Sequence, residues 1–156
     1  MNILMSTRVD LFDMSEILEF KKQTINLIDD LKSVCANYGL GNDGNEFKII
    51  TQVFLYKFLN DKFIYEVKKI EPNLKNSSSF SEDLKNYDKE KFKIILMQLN
   101  EGTATFESNQ LISYLFLKQN DSNFANLFDK TLLDIAKNNS AVFSVTTQGN
   151  EKIILF

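Results

Sequence analysis

The chain has no histidine, one cysteine, one proline and five glycines among 156 residues. Without histidine, neither a Ser-His-Asp nor a Cys-His nucleophile can be assembled, and every histidine metal site is excluded. The single cysteine, Cys35, rules out an intramolecular disulfide and suits a structural zinc site poorly. Pro72 is the only proline, so no Pro-Pro motif exists and long helices can run uninterrupted. Arg8 is the sole arginine among 18 basic residues, which confines bidentate guanine recognition by arginine to one side chain. A net charge of −3 and a pI near 5.1 supply no global basic field for nucleic acid or membrane. No apolar run reaches the roughly 18 residues that a membrane span needs. The start of the chain mixes apolar residues with Arg8, Asp10 and Asp13 and lacks a signal-peptide core. These features predict a cytoplasmic protein without membrane or metal partners.

What is present suits one globular domain: 44% of residues are apolar and 25% charged. Residues 15–38 carry Ile17, Phe20, Leu27, Ile28, Leu31, Val34, Cys35 and Tyr38 at three- and four-residue steps, the stripe of an amphipathic helix. Asp13 and Glu16 have capping-box spacing at its start. Residues 45–70 predict a second helix. Between Phe47 and Leu59 it is apolar around most of its circumference, which predicts a central, surrounded helix with Phe54 in the core. Pro72 cannot continue it. The polar stretch 73–79 predicts a loop, and Ser79 with Glu82 a capping box for a third helix over 81–99, with a break near Asp88. A short fourth helix is expected over 107–118 and a fifth over 123–138, the latter entered through the polar run Asn120-Asp-Ser-Asn123. Val142-Phe-Ser-Val145 and Ile153-Ile-Leu-Phe156, separated by Thr-Thr-Gln-Gly-Asn-Glu, carry a hairpin signal. The expected fold is mainly α: a helical bundle of about five helices with a C-terminal β-hairpin. The expected organisation is an extension over 1–14, a helical domain over 15–140 and the hairpin over 141–156, cut where a longer protein would continue.

Few residues point to chemistry. Gly39-Leu-Gly41-Asn-Asp-Gly44 matches G-x-G-x-x-G, but that fingerprint needs a preceding strand, and here a helix precedes it; a C-terminal helix turn is expected instead. Asp121-Ser-Asn123 begins like a calcium loop, yet Asn126 stands where glycine belongs and Leu132 where glutamate belongs. The adjacent carboxylates Asp29-Asp30 and Glu82-Asp83 diverge on a helix and converge on no ion. Cys35 lies on an apolar stripe and is expected to be a small buried hydrophobe. Lys85, Lys89 and Lys93 recur at four-residue steps on one expected helix face. They are the candidate contacts to nucleic-acid phosphates, although Asp88 and Glu90 interleave with them. No catalytic, cofactor-binding or metal residue is assigned.

Several longer strings carry a likeness. They are Leu31-Lys-Ser-Val-Cys-Ala-Asn-Tyr-Gly-Leu-Gly-Asn42, Asn45-Glu-Phe-Lys-Ile-Ile50, Val53-Phe-Leu-Tyr-Lys-Phe-Leu-Asn-Asp-Lys-Phe63, Leu111-Ile-Ser-Tyr-Leu-Phe116, Asn123-Phe-Ala-Asn-Leu-Phe-Asp129 and Phe143-Ser-Val-Thr-Thr-Gln-Gly149. Together, over about residues 24–156, the chain resembles the N-terminal helical domain of type I restriction-modification DNA methyltransferase (M) subunits and related adenine-specific methylases. The string over 53–63 is the most specific element. The resemblance implies a full-length enzyme in which this domain precedes a catalytic domain. That domain would bind S-adenosylmethionine at a Gly-rich loop and methylate a flipped adenine held by an Asn-Pro-Pro-aromatic motif. Neither motif is present, so the implied role is non-catalytic: helping to enclose DNA, with weak backbone contact, and contacting the specificity subunit and its own catalytic domain. The alternative is a freestanding helical protein-protein interaction module unrelated to DNA.

Overall fold

A computed structural model of the chain describes residues 3–42, 44–146 and 152–154, with side chains described for 18–42, 44–140 and 142. The chain is mainly helical. It divides into two compact units, Met1–Val53 and Phe54–Phe156. The division falls inside the second helix.

In the first unit, α1 runs over Ile3–Asn37. It begins a dozen residues before the expected start because no glycine or proline interrupts the sequence ahead of Gly39, so 3–14 join the helix rather than forming a separate extension. The Asp13–Glu16 capping box falls among side chains outside those described. Helix α1 closes in a tight turn. The Gly39 N–H bonds Ala36 O at 3.0 Å, the Leu40 N–H bonds Cys35 O at 2.9 Å, and Gly39 takes φ +77°. That left-handed conformation favours glycine. The Asn42 N–H then donates to Glu46 Oε2 at 2.7 Å at the start of α2, Gly44–Ile70. Among the described side chains of this unit only Cys35 is buried, whereas Phe20, Val34, Tyr38 and Phe47 stand exposed.

The second unit holds the core. From α2 it takes Tyr56, Leu59, Phe63 and Val67, spaced by three and four residues along one face. The chain continues through α3 (Pro72–Lys75), α4 (Phe80–Lys85), α5 (Lys89–Gln98), a 3-10 turn (Ser108–Gln110), α6 (Ile112–Leu117), α7 (Phe124–Asn138) and α8 (Ser140–Phe143). These contribute Leu74, Phe80, Leu84, Ile95, Leu111, Leu115, Leu132 and Ile135 to the core, together with Ala104 and Phe106 of the extended stretch before the 3-10 turn. The Phe106 ring lies 5.4 Å from Phe63 and 6.2 Å from Tyr56, and Phe128 meets Tyr56 edge-on at 5.9 Å. Such aromatic contacts add to area burial.

Several expectations need correction. Helix α2 is not surrounded on all sides: Phe47 and Phe58 are exposed and Phe54 is only half-buried. The break expected near Asp88 is present: Asp88 leaves the helix (ψ 125°) and accepts the Lys91 N–H at 2.8 Å as the cap of α5. Ser79 occupies the N-cap of α4, but its hydroxyl makes no capping bond. The capping box that does form joins Glu107 and Gln110 around the 3-10 turn, so the expected fourth helix starts only at Ile112. At the C-terminus, the three-residue segments β1 (Ser144–Thr146) and β2 (Lys152–Ile154) run antiparallel with Val145 opposite Ile153. The residues connecting them lie outside the described set.

Candidate nucleic-acid interface

Two side chains of α2, one turn apart, position the second unit's 110–112 segment. The Tyr56 hydroxyl donates to Gln110 O at 2.6 Å, and Asn60 Oδ1 accepts the Ile112 N–H at 3.0 Å. Asn60 thereby satisfies one of the N–H groups that the first turn of α6 leaves open. Burial holds the Tyr56 phenol well above the ordinary tyrosine range. Two further α2 contacts reach the preceding loop: Glu66 accepts from Asn100 Nδ2 at 2.6 Å, and Lys62 Nζ donates to Gly102 O at 3.0 Å. Of these, the Tyr56 bond holds Gln110, which lines the same groove as the lysines of α4 and α5.

The three candidate lysines do not share one helix. Lys85 ends α4, Lys89 begins α5 and Lys93 follows one turn later. The break at 86–88 nevertheless leaves all three exposed on the border of one open groove of about 550 Å³, floored by Leu84, Phe92, Leu96 and Phe106. Its charge is mixed. Lys93 Nζ is held at 2.8 Å by Glu90, and Glu107 borders the same groove. Lys85 and Lys89 have no ion-pair partner among the described residues.

A second groove, of about 530 Å³, opens beside the end of α2, lined by Tyr65, Lys68, Lys69, Pro72 and Lys75. Periodicity alone did not single it out, because Lys68 and Lys69 read as the polar end of a helix. The usable signal was an aromatic residue interleaved with lysines across the helix break at Pro72.

The remaining motifs have local structural uses. Gly39 follows α1 rather than a strand, so the 39–44 glycines serve a helix C-terminus and the turn after it, not a strand-to-helix phosphate turn. Asp121 accepts the Asn123 N–H at 2.9 Å, closing a turn before α7. Cys35 is buried. Among the described residues no group of His, Cys, Asp and Glu could hold a metal ion, and no helix is long and apolar enough to cross a membrane. Compared with protein-family models, curated proteins and solved structures, the chain matches none.

Proposed function

We propose that the chain is the N-terminal interaction domain of a bacterial adenine-specific DNA methyltransferase subunit of a restriction-modification system. It helps to enclose DNA and contacts the specificity subunit and its own catalytic domain, in the cytoplasm. The observation that supports this is the string over 53–63. Within one stretch of α2, its Tyr56, Leu59 and Phe63 supply core, and its Tyr56 and Asn60 hold the 110–112 segment. The most family-like part of the sequence is thus also the organising part of the helical unit. S-adenosylmethionine belongs to the catalytic domain, and β1 and β2 form the hairpin that leads toward it. Lys85, Lys89 and Lys93 touch DNA phosphates as point charges, without reading bases.

Anisotropy with two unrelated labelled duplexes tests the DNA contact. Binding should be weak, with Kd around 10⁻⁴ M or higher, equal for both duplexes and steeply salt-dependent. Replacing the three lysines by glutamine should weaken it without unfolding the chain, since exposed charges add little stability. A triple variant that binds as well as the parent overturns the lysine assignment. The assignment to a methyltransferase is tested in the gene itself. Coding sequence beyond Phe156 that reaches a Gly-rich loop and an Asn-Pro-Pro-aromatic motif is the expected result, and a coding sequence containing neither overturns it.

A second reading, a protein-protein interaction module unrelated to DNA, draws on one observation. The first unit exposes Leu18, Phe20, Val34, Tyr38 and Phe47 while burying only Cys35 among its described side chains, and exposed apolar residues in such number favour a protein partner.

A further inference from the structure

The groove at the end of α2 differs from the α4–α5 groove in one respect: its lining, Tyr65, Lys68, Lys69, Pro72 and Lys75, includes no carboxylate. The nearest carboxylates in sequence are engaged elsewhere. Glu66 is buried and bound by Asn100. Glu71 accepts the Asn73 N–H through one oxygen and the Tyr87 hydroxyl through the other. Lys68 lies over the Phe80 ring at 5.7 Å, and Lys69 and Lys75 have no ion-pair partner among the described residues. Lysines in the last turns of α2 and α3 do complement the helix C-termini. That explains their positions but not the exposed ring beside them. Tyr65 is 65% exposed, and its hydroxyl has no hydrogen-bond partner among the described residues.

We propose that this groove binds a nucleic-acid single strand, with Lys69 and Lys75 on phosphates and an unpaired base stacked on Tyr65. A single strand offers phosphates and free base faces together, which is what clustered cations around an exposed aromatic ring accommodate. A duplex keeps its base faces stacked and can use only the lysines. The inference goes beyond the proposed function and does not depend on it.

The test uses the 156-residue chain and three probes: a fluorescein-labelled oligothymidylate, a duplex of the same length and polyglutamate. The oligothymidylate should bind roughly five-fold or more tightly than the duplex. With two phosphates neutralised, its log K should fall with log salt at a slope of about −1.4. Tyr65→Ala should weaken the single strand roughly five-fold or more and leave the duplex unchanged, while Tyr65→Phe should bind like the parent. Lys69→Gln and Lys75→Gln should each weaken both probes and flatten the salt slope by about 0.7. All four substitutions sit at exposed positions, so urea midpoints should hold. Equal affinity for duplex and single strand, or a Tyr65→Ala variant with parental binding, overturns the proposal. So does polyglutamate displacing the oligothymidylate at equal charge concentration, which would mark a site for an acidic protein segment. Loss of single-strand binding in the Lys85, Lys89 and Lys93 variant, with Tyr65→Ala silent, would move the site to the other groove and overturn it equally.

Discussion

Asn139 and Thr105 are joined by three hydrogen bonds. Asn139 Oδ1 accepts from the Thr105 N–H at 2.7 Å and from its hydroxyl at 3.1 Å, and Asn139 Nδ2 donates to Thr105 O at 3.0 Å. The same amide also donates to Ile135 O at 2.9 Å. One side chain therefore closes the end of α7 and clamps the extended stretch that carries Ala104 and Phe106 into the core. Asn139 is buried, so its loss leaves backbone groups without a partner. Asn139→Ala should cost at least about 2 kcal/mol in urea unfolding. Asn139→Asp should not restore it, because a carboxylate oxygen would face the carbonyls of Thr105 and Ile135. A loss below about 0.5 kcal/mol for the alanine variant would show that the clamp is dispensable.

The buried and exposed faces of α2 make a second, contrasting pair. Phe63 is fully buried against Phe106, whereas Phe58 is 62% exposed. Phe63→Ala should cost about 3–5 kcal/mol and Phe58→Ala less than about 1 kcal/mol. Phe54→Ala, at a half-buried position, should fall between them. Equal losses at Phe58 and Phe63 would mean that α2 is enclosed on all sides.

These contrasts bear on what the sequence makes legible. Helix α7 is readable almost to the residue, since Phe124, Leu127, Phe128, Thr131, Leu132 and Ile135 fall on one stripe and Asn123 precedes them. The turn at Gly39 is equally plain from a glycine that follows an apolar repeat. Helix α2 is not, because an even distribution of Phe, Ile and Leu hides which side is covered, and coverage is a tertiary property. The 107–118 region misleads for a different reason. Glu107 and Gln110 bond each other's backbone and stop the helix, and Asn60, some fifty residues earlier, supplies the acceptor for Ile112. No local pattern encodes that partner. The three candidate lysines share a groove, but not by the helical spacing that selected them. The lysines around Tyr65 lie on two helices with Pro72 between, which periodicity within one helix cannot join.

The link between Glu71 and Tyr87 gives the chain a pH dependence with two limbs. Glu71 caps α3 through the Asn73 N–H and also accepts the Tyr87 hydroxyl, tying the end of α2 to the α4–α5 turn. The Tyr87 hydrogen bond, followed by the Asn73 N–H, holds the Glu71 carboxyl below the usual carboxylate range. Its folded pKa is depressed, so its contribution is present above the unfolded value and is lost as pH falls through the folded one. Tyr87 behaves in the opposite sense. The bond to Glu71 pushes its phenol up to about 12 from 10.0, so the contribution is complete below pH 10 and is lost as pH rises towards 12. Tyr87→Phe removes the shared bond and leaves Glu71 its Asn73 partner. The stability gap between parent and variant should then be constant from about pH 5.5 to 9, narrow as pH drops below 4, and narrow again above 10. Urea midpoints for both proteins between pH 3 and 11 measure it. A gap at pH 3 or pH 11 as wide as the gap at pH 7 would show that the hydroxyl acts by packing alone and that the two groups do not share a proton-dependent bond.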